Sequence, residues 1–322
     1  MASIDIFKAD DDFEAKALEI FRFQATENEV YGNYIKHLGL QFDQLTRIEE
    51  IPFLPIELFK TQRVFCQNLS ISKVFKSSGT GGDRSHHYIV DPAIYETSFL
   101  LNFEAEFGAL EELCVLALLP NYQKNPNSSL LYMINEIVER TKTNGSKFLD
   151  VNDAKLAEKL KNANGSKLKT ILVGTSFALL DFAEQYPLDL SNLIVMETGG
   201  MKGRRVEITR FELHDSLKSK LNQQDIYSEY GMCELLSQAY AKKNGVFSCP
   251  PWMRVYTRPI GEPFSDMQVN KSGILKVIDL ANIYSCSFIE TADLGIVSDD
   301  GSFEVIGRID HAQIRGCALL TF

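Results

Sequence analysis

Leu113-Cys114-Val115-Leu116-Ala117-Leu118-Leu119-Pro120 is the stretch on which the fold turns. An unbroken apolar run of this length, stopped by proline, has no solvent face to alternate toward, so it predicts a strand buried on both sides. Two more runs of the same kind follow, Thr170-Ile171-Leu172-Val173-Gly174 and Leu193-Ile194-Val195-Met196. Helical spacing fills the gaps. Ser128 is placed to cap a helix carrying Leu131, Ile134, Ile137 and Val138 on one face, with Asn144-Gly145 to end it. Ser176 opens another through Leu179, Leu180 and Phe182 to Pro187, and a third covers about 206 to 221. Strands alternating with helices from about 92 to 245 predict an α/β fold. Its sheet is mostly parallel, helices cover both faces, and ligands bind beyond the carboxyl ends of the strands.

Beyond that region the helical signal fades. Arg254 to Thr257, Ile274 to Asp279, Tyr284 to Ile289 and Phe303 to Ile306 read as short strands. The turn sequences Asn270-Lys271-Ser272-Gly273 and Ser298-Asp299-Asp300-Gly301 separate them, as in a small antiparallel, β-barrel-like subdomain. The expected division is an α/β core over 1–245 and a β-rich subdomain over 246–322. Upstream of the alternating region, Phe13, Ala17, Leu18, Ile20, Phe21 and Phe23 suggest one amphipathic helix and Tyr31 to Leu38 a second. Ile51-Pro52-Phe53-Leu54-Pro55 to Lys60 is expected to run extended and buried, because proline fixes its own φ and restricts the residue before it. Cys66 to Phe75 is expected to hold one or two strands.

The 322 residues are 45% hydrophobic and 24% charged, the composition of an ordinary soluble globular protein. A net charge of -10 argues against a general nucleic-acid or anionic-membrane surface, which needs basic faces. The six cysteines are scattered without a CxxC pair, so a disulfide framework or structural zinc site is not expected. No apolar run reaches the roughly 18 residues of a membrane span, and the first residues lack a basic region followed by an apolar core. A cytoplasmic protein with reduced thiols is expected.

Two conspicuous loops fall where core strands end: Glu197-Thr198-Gly199-Gly200 and Glu229-Tyr230-Gly231-Met232-Cys233-Glu234. A third, Lys76-Ser77-Ser78-Gly79-Thr80-Gly81-Gly82-Asp83, precedes the alternating region. Its glycines allow positive φ and let backbone amides converge, while Ser and Thr hydroxyls add donors. It is a phosphate cradle or a plain flexible turn. It has neither the GxxxxGK[ST] nor the GxGxxG spacing.

Four elements in order, Ser77-Ser78-Gly79-Thr80-Gly81-Gly82, Tyr230-Gly231-Met232-Cys233-Glu234, Thr291-Ala292-Asp293 and Gly307-Arg308-Ile309-Asp310 with Arg315-Gly316, resemble the signature set of the adenylate-forming enzymes. That superfamily holds acyl-CoA synthetases, peptide-synthetase adenylation domains and firefly luciferase. Ile51-Pro52-Phe53-Leu54-Pro55 to Lys60, Cys249-Pro250-Pro251-Trp252-Met253-Arg254 and Arg315-Gly316-Cys317 add a resemblance to the acyl-protein synthetases, the fatty-acid-activating subunits of the bacterial bioluminescence fatty acid reductase complex. The resemblance spans residue 51 to the end. It implies ATP-dependent conversion of a fatty or other carboxylic acid to acyl-AMP. It puts Ser77 to Gly82 on the β- and γ-phosphates, Tyr230 beside the nucleotide, Glu234 and Thr80 on Mg²⁺, and Asp293 and Arg308 on the ribose hydroxyls.

The resemblance has two departures. Relatives normally continue past the hinge near Asp310 into a mobile C-terminal domain with a lysine that assists adenylation; few residues follow here, so a chain lacking that domain is expected. Many relatives also have glycine where Ala292 stands, which leaves the acid in place. In the resembled synthetases a cysteine near the C-terminus accepts the acyl group as a thioester, a position Cys317 fits. The other reading of Cys317 is a small apolar residue leading into Ala318-Leu319-Leu320. Cys233 is a rival thiol that otherwise packs. His86 and His87 are candidates to touch phosphate or carboxylate, or surface-loop histidines. Met196 to Gly200 and Ala239-Tyr240 are the expected acyl pocket. The acyl group would go to an acyl-CoA reductase-like, acyltransferase or carrier-protein partner, with delivery to coenzyme A as the alternative. A further alternative is a nucleotide-binding subunit that has lost adenylation.

Overall fold

The computed structural model describes residues 5–8, 12–78, 84–120, 122–143, 145–199, 208–261 and 267–309. The chain groups into two compact units, one made of 75–82 and 93–247, the other of 1–74, 83–92 and 248–322.

The first unit is the alternating region. Its sheet runs Lys147–Phe148, Leu113–Leu118, Lys169–Thr175, Leu193–Thr198, Tyr227–Tyr230, Ala239–Ala241; the first five are parallel and the last antiparallel. Every residue of Leu113–Leu118 is buried, as an apolar run without alternation requires. Helices form where capping groups start them. Ser128 accepts from the Leu131 amide at 3.3 Å ahead of Ser129–Arg140, and Thr175 caps Ser176–Gln185. One core gathers Leu116, Leu118, Leu172, Leu179, Leu213, Leu217 and Leu221, the last three spaced to face the sheet from helix Arg210–Leu221. Helix Pro92–Phe107 carries Tyr95, Phe99, Phe103 and Phe107 at four-residue steps, so one face is a continuous aromatic stripe. Helix Leu156–Asn164, which sequence periodicity did not bring out, buries only Leu156 and Leu160.

The second unit pairs Met253–Arg258, Ser272–Asp279, Phe288–Val297 and Phe303–Arg308 antiparallel in that order, and Leu54–Pro55 adds parallel to Phe288–Val297. The N-terminal helices Phe13–Glu27 and Glu29–His37 belong to this unit. Phe288 is its aromatic centre, met edge-on by Phe21 at 5.9 Å and stacked by Tyr31 at 6.2 Å. Gln24 ties helix to sheet. Its Nε2 donates to Asn282 O and Ile283 O, both at 2.9 Å, and its Oε1 accepts from the Ser287 amide at 2.9 Å. Asn28 repeats the device one turn on, donating to Ser285 O at 2.9 Å.

Local expectations differ from the structure at three places. The segment Cys66 to Phe75 holds strand only at its end, over Lys73–Lys76, because Cys66 and Gln67 give their amides to Tyr284 O and Glu27 O instead of to a ladder. Tyr284 to Ser287 is not strand, since its backbone groups are taken by Gln24 and Asn28; the strand begins at Phe288. The two-proline segment is buried as expected, but Leu54–Pro55 is a sheet strand and Leu58–Thr61 a short helix. Among the described residues no helix is long and apolar enough to cross a membrane, and Cys66, Cys114, Cys233, Cys249 and Cys286 are free thiols.

Candidate active site

The carboxyl ends of the parallel strands carry several buried polar side chains. Glu197, Thr198 and Thr175 close their strands, with Thr175 beside Thr198 and Thr198 beside Glu229 in register. Strand Tyr227–Tyr230 runs out into the loop that holds Glu234, and the chain returns as Ala239–Ala241, with Tyr230 opposite Ala239. Tyr230 and Glu234 are therefore brought to one end of one strand. Both are buried, with Tyr230 5.8 Å from the Phe247 ring. Gly231 lets the loop pass close to Glu229: a Cβ there would lie 2.3 Å from Glu229 Oε1, so that side chain would have to shift. Thr198 Oγ1 donates to Glu229 Oε2, which draws the Glu197-Thr198 strand end onto the Tyr230 loop.

Glu197 is the residue the motif reading missed in this role. Its carboxylate is 3% exposed and accepts from Ser176 Oγ at 2.7 Å, with Arg210 Nε at 3.4 Å and His214 Nε2 at 3.7 Å. Ser176 Oγ also lies against Gly199 O, so its single O–H is shared between the two acceptors, and His214 lies 3.3 Å from Ser228 Oγ. Burial pushes the carboxyl pKa up, but the hydrogen bond from His214, the Arg210 charge and the Ser176 and Ser228 hydroxyls outweigh it and hold the group below the usual carboxylate range. A buried acid just before a Gly-Gly loop was the only signal in the sequence.

Asp293 and Arg308, in the second unit, are cross-strand partners, with Arg308 Nε 3.7 Å from Asp293 Oδ1. The residues expected to share one ligand are thus neighbours although they lie 15 positions apart in the chain. Thr291 Oγ1 fixes the approach, donating to Leu275 O and accepting from the Asp293 amide at 3.0 Å. Asp293 lies inside strand Phe288–Val297, not in a turn.

Ser77 and Ser78 follow strand Lys73–Lys76, whose last amide donates to Asn127 O at 2.8 Å. Gly79, Thr80, Gly81, Gly82 and Cys317 lie outside the described residues. Cys233 is buried, as are Met196, Ala239 and Tyr240 of the expected acyl pocket. His86 and His87 are not loop residues: strand His86–Ile89 carries both, and His87 is fully buried against Phe59 at 5.8 Å.

No family model matches the chain, and no curated protein matches it. Solved structures do. ATP-bound MatB from Rhodopseudomonas palustris aligns at 13% identity with a TM-score of 0.56, over 74% of this chain and 48% of that one. An open conformation of 2-hydroxyisobutyryl-CoA ligase in complex with 2-HIB-AMP and CoA aligns at 13% identity with a TM-score of 0.66, over 92% and 74%. The luciferase-like enzyme of the nonluminescent mealworm Zophobas morio aligns at 16% identity with a TM-score of 0.50, over 75% and 58%. The chain spans about half the length of the MatB chain it matches. The likeness is one of architecture, and the fold of this chain is that of adenylate-forming enzyme domains.

Proposed function

We propose that the chain activates a carboxylic acid, a fatty acid first among candidates, by ATP-dependent adenylation and passes the acyl group to a thiol. The observation that carries this reading is the fold shared with a ligase that holds an acyl-AMP. A carboxylate oxygen attacks the α-phosphorus of ATP; the new O–P bond forms as the bond to pyrophosphate breaks, and the electron pair leaves with pyrophosphate. A thiolate then attacks the acyl carbonyl, a C–S bond forms, and the C–O bond to AMP breaks. Ser77, Ser78, Gly79, Thr80, Gly81 and Gly82 grip the phosphates, Tyr230 lies beside the nucleotide, and Asp293 with Arg308 takes the ribose hydroxyls. Glu234 and Thr80 would hold magnesium, which supplies neutralisation of phosphate charge when bound. Glu234 supplies one buried carboxylate, and magnesium shared with phosphates needs only one or two.

Cys317 is the proposed acceptor, since thiolate is a competent nucleophile toward an acyl adenylate. Delivery to coenzyme A is the second reading, favoured by the CoA bound to the similar ligase. The deciding experiment incubates the protein with ATP and radiolabelled fatty acid, with and without coenzyme A. Hydroxylamine-sensitive label on the protein that disappears in Cys317→Ser supports the protein thioester; label undiminished in Cys317→Ser removes that thiol, and acyl-CoA as sole product selects the second reading. Absence of acid-dependent exchange of pyrophosphate into ATP, across a panel of acids, would overturn adenylation itself.

A further inference from the structure

Arg210 has an environment that ordinary surface arginines lack. It is the first residue of helix Arg210–Leu221, next to the Thr209 cap, so its charge sits at the positive end of the helix dipole, where a cation is disfavoured. It is held there from three sides. The Glu197 carboxylate lies beneath its Nε, the guanidinium stacks over the Phe247 ring at 5.0 Å, and Gly245, at φ +69°, makes room for the stem: a Cβ at 245 would lie 3.0 Å from Arg210 Cδ. Its side chain keeps 29% exposure while the carboxylate that holds it is buried. Phe247 in turn meets Tyr230, so the cation stands one ring away from the loop that carries Glu234.

Burying a carboxylate is costly, and partners from two helices offset it here: Ser176 from one, Arg210 and His214 from the other. A fixed positive charge and a helix N-terminus then converge at the carboxyl end of a parallel sheet, in a chain of net charge -10 whose proposed substrates are both anions. Ser176 Oγ lies against both this carboxylate and Gly199 O, which keeps the two acceptors close together. We infer that Arg210 contacts an oxyanion of the substrate, a nucleotide phosphate or the acid's carboxylate, and that Glu197 is the positioning residue that holds it in place. The inference rests on the acid-activating reading and names a cation for that same site.

The test measures two affinities for the parent, Arg210→Ala, Arg210→Lys and Glu197→Gln: ATP by equilibrium dialysis, and the acid from KM in pyrophosphate exchange or, where exchange is absent, by binding of radiolabelled acid. Arg210→Ala is expected to weaken one of the two by about ten- to hundredfold, the effect of a charge-assisted hydrogen bond. Loss on the ATP arm assigns phosphate, and loss on the acid arm assigns carboxylate. Arg210→Lys should recover part of it, since lysine keeps the charge without the plane that stacks on Phe247. Glu197→Gln should weaken the same affinity and not the other, with kcat less affected than KM. A role in folding alone would lower the melting temperature of Glu197→Gln and leave both affinities alone. Variants that bind both ligands within twofold of the parent overturn the inference, as does a parent that binds neither. If the parent shows no exchange but Arg210→Ala still loses ATP, the adenylation reading fails and the cation assignment stands.

Discussion

The buried polar network around Gln24 in the β-rich unit and the one around Glu197 in the parallel sheet meet the same demand with opposite chemistry. Gln24 is wholly buried and neutral; its donors and acceptor are matched by two carbonyls, a hydroxyl and an amide. Such an amide fixes where a helix sits and does nothing else. Glu197 is charged, its partners are side chains, and two of them carry or can carry charge. Neutral satisfaction belongs to packing. A buried charge held by charged partners at a strand's carboxyl end is what the proposed oxyanion contact requires.

Substitutions can break this contrast. Glu197→Ala is expected to have the largest effect, a loss of about 3 kcal/mol in urea unfolding, because it leaves Arg210 and His214 facing a vacated low-dielectric space. Gln24→Ala should cost about 2 kcal/mol by orphaning Asn282 O and Ile283 O, with ATP affinity at 20 °C below its melting range equal to the parent's. If Gln24→Ala weakens ATP as Glu197→Gln does, the division between packing and function is wrong.

The two networks should also separate by pH. The Glu197 pKa is lowered in the folded state, so its contribution is complete above the ordinary glutamate value of about 4.3 and is lost as pH falls through the lower folded value. The stability gap between parent and Glu197→Gln should therefore shrink between pH 5 and 3, whereas the gap for Gln24→Ala stays constant over the same range. A gap for Glu197→Gln that is unchanged at pH 3 would mean the carboxylate is not what the partners recognise. The smallest effect is expected at Lys276, buried against the Phe53 ring at 4.7 Å, where burial lowers the amine pKa. Arg258 already engages Glu290 through two nitrogens, so Lys276→Met should raise stability by about 1 kcal/mol.

Period and capping carried most of the parallel sheet. Leu113–Leu118, Lys169–Thr175 and Leu193–Thr198 were legible because burial on both faces leaves no alternation to misread, and Ser128 because an N-cap acts within three residues. Legibility failed where structure depends on distant partners. Leu54–Pro55 is a strand only because Phe288–Val297 offers an edge, and prolines argue locally against it. Asp293 and Arg308 were chosen from their motifs, but that they face each other is a matter of strand register. Glu197 looked like part of a loop signature, since no local pattern announces that Ser176, Arg210 and His214 will converge on it.

The Gln24 clamp has a consequence for how the protein is made. Its partner Asn282 lies 258 positions downstream, so at roughly 5–20 residues per second synthesis takes on the order of tens of seconds to deliver it. Throughout that interval Phe21 and Tyr31 emerge without Phe288, while the parallel sheet, local in sequence, can already form. The nascent chain therefore carries an aromatic N-terminal helix pair whose main aromatic partner has yet to be made.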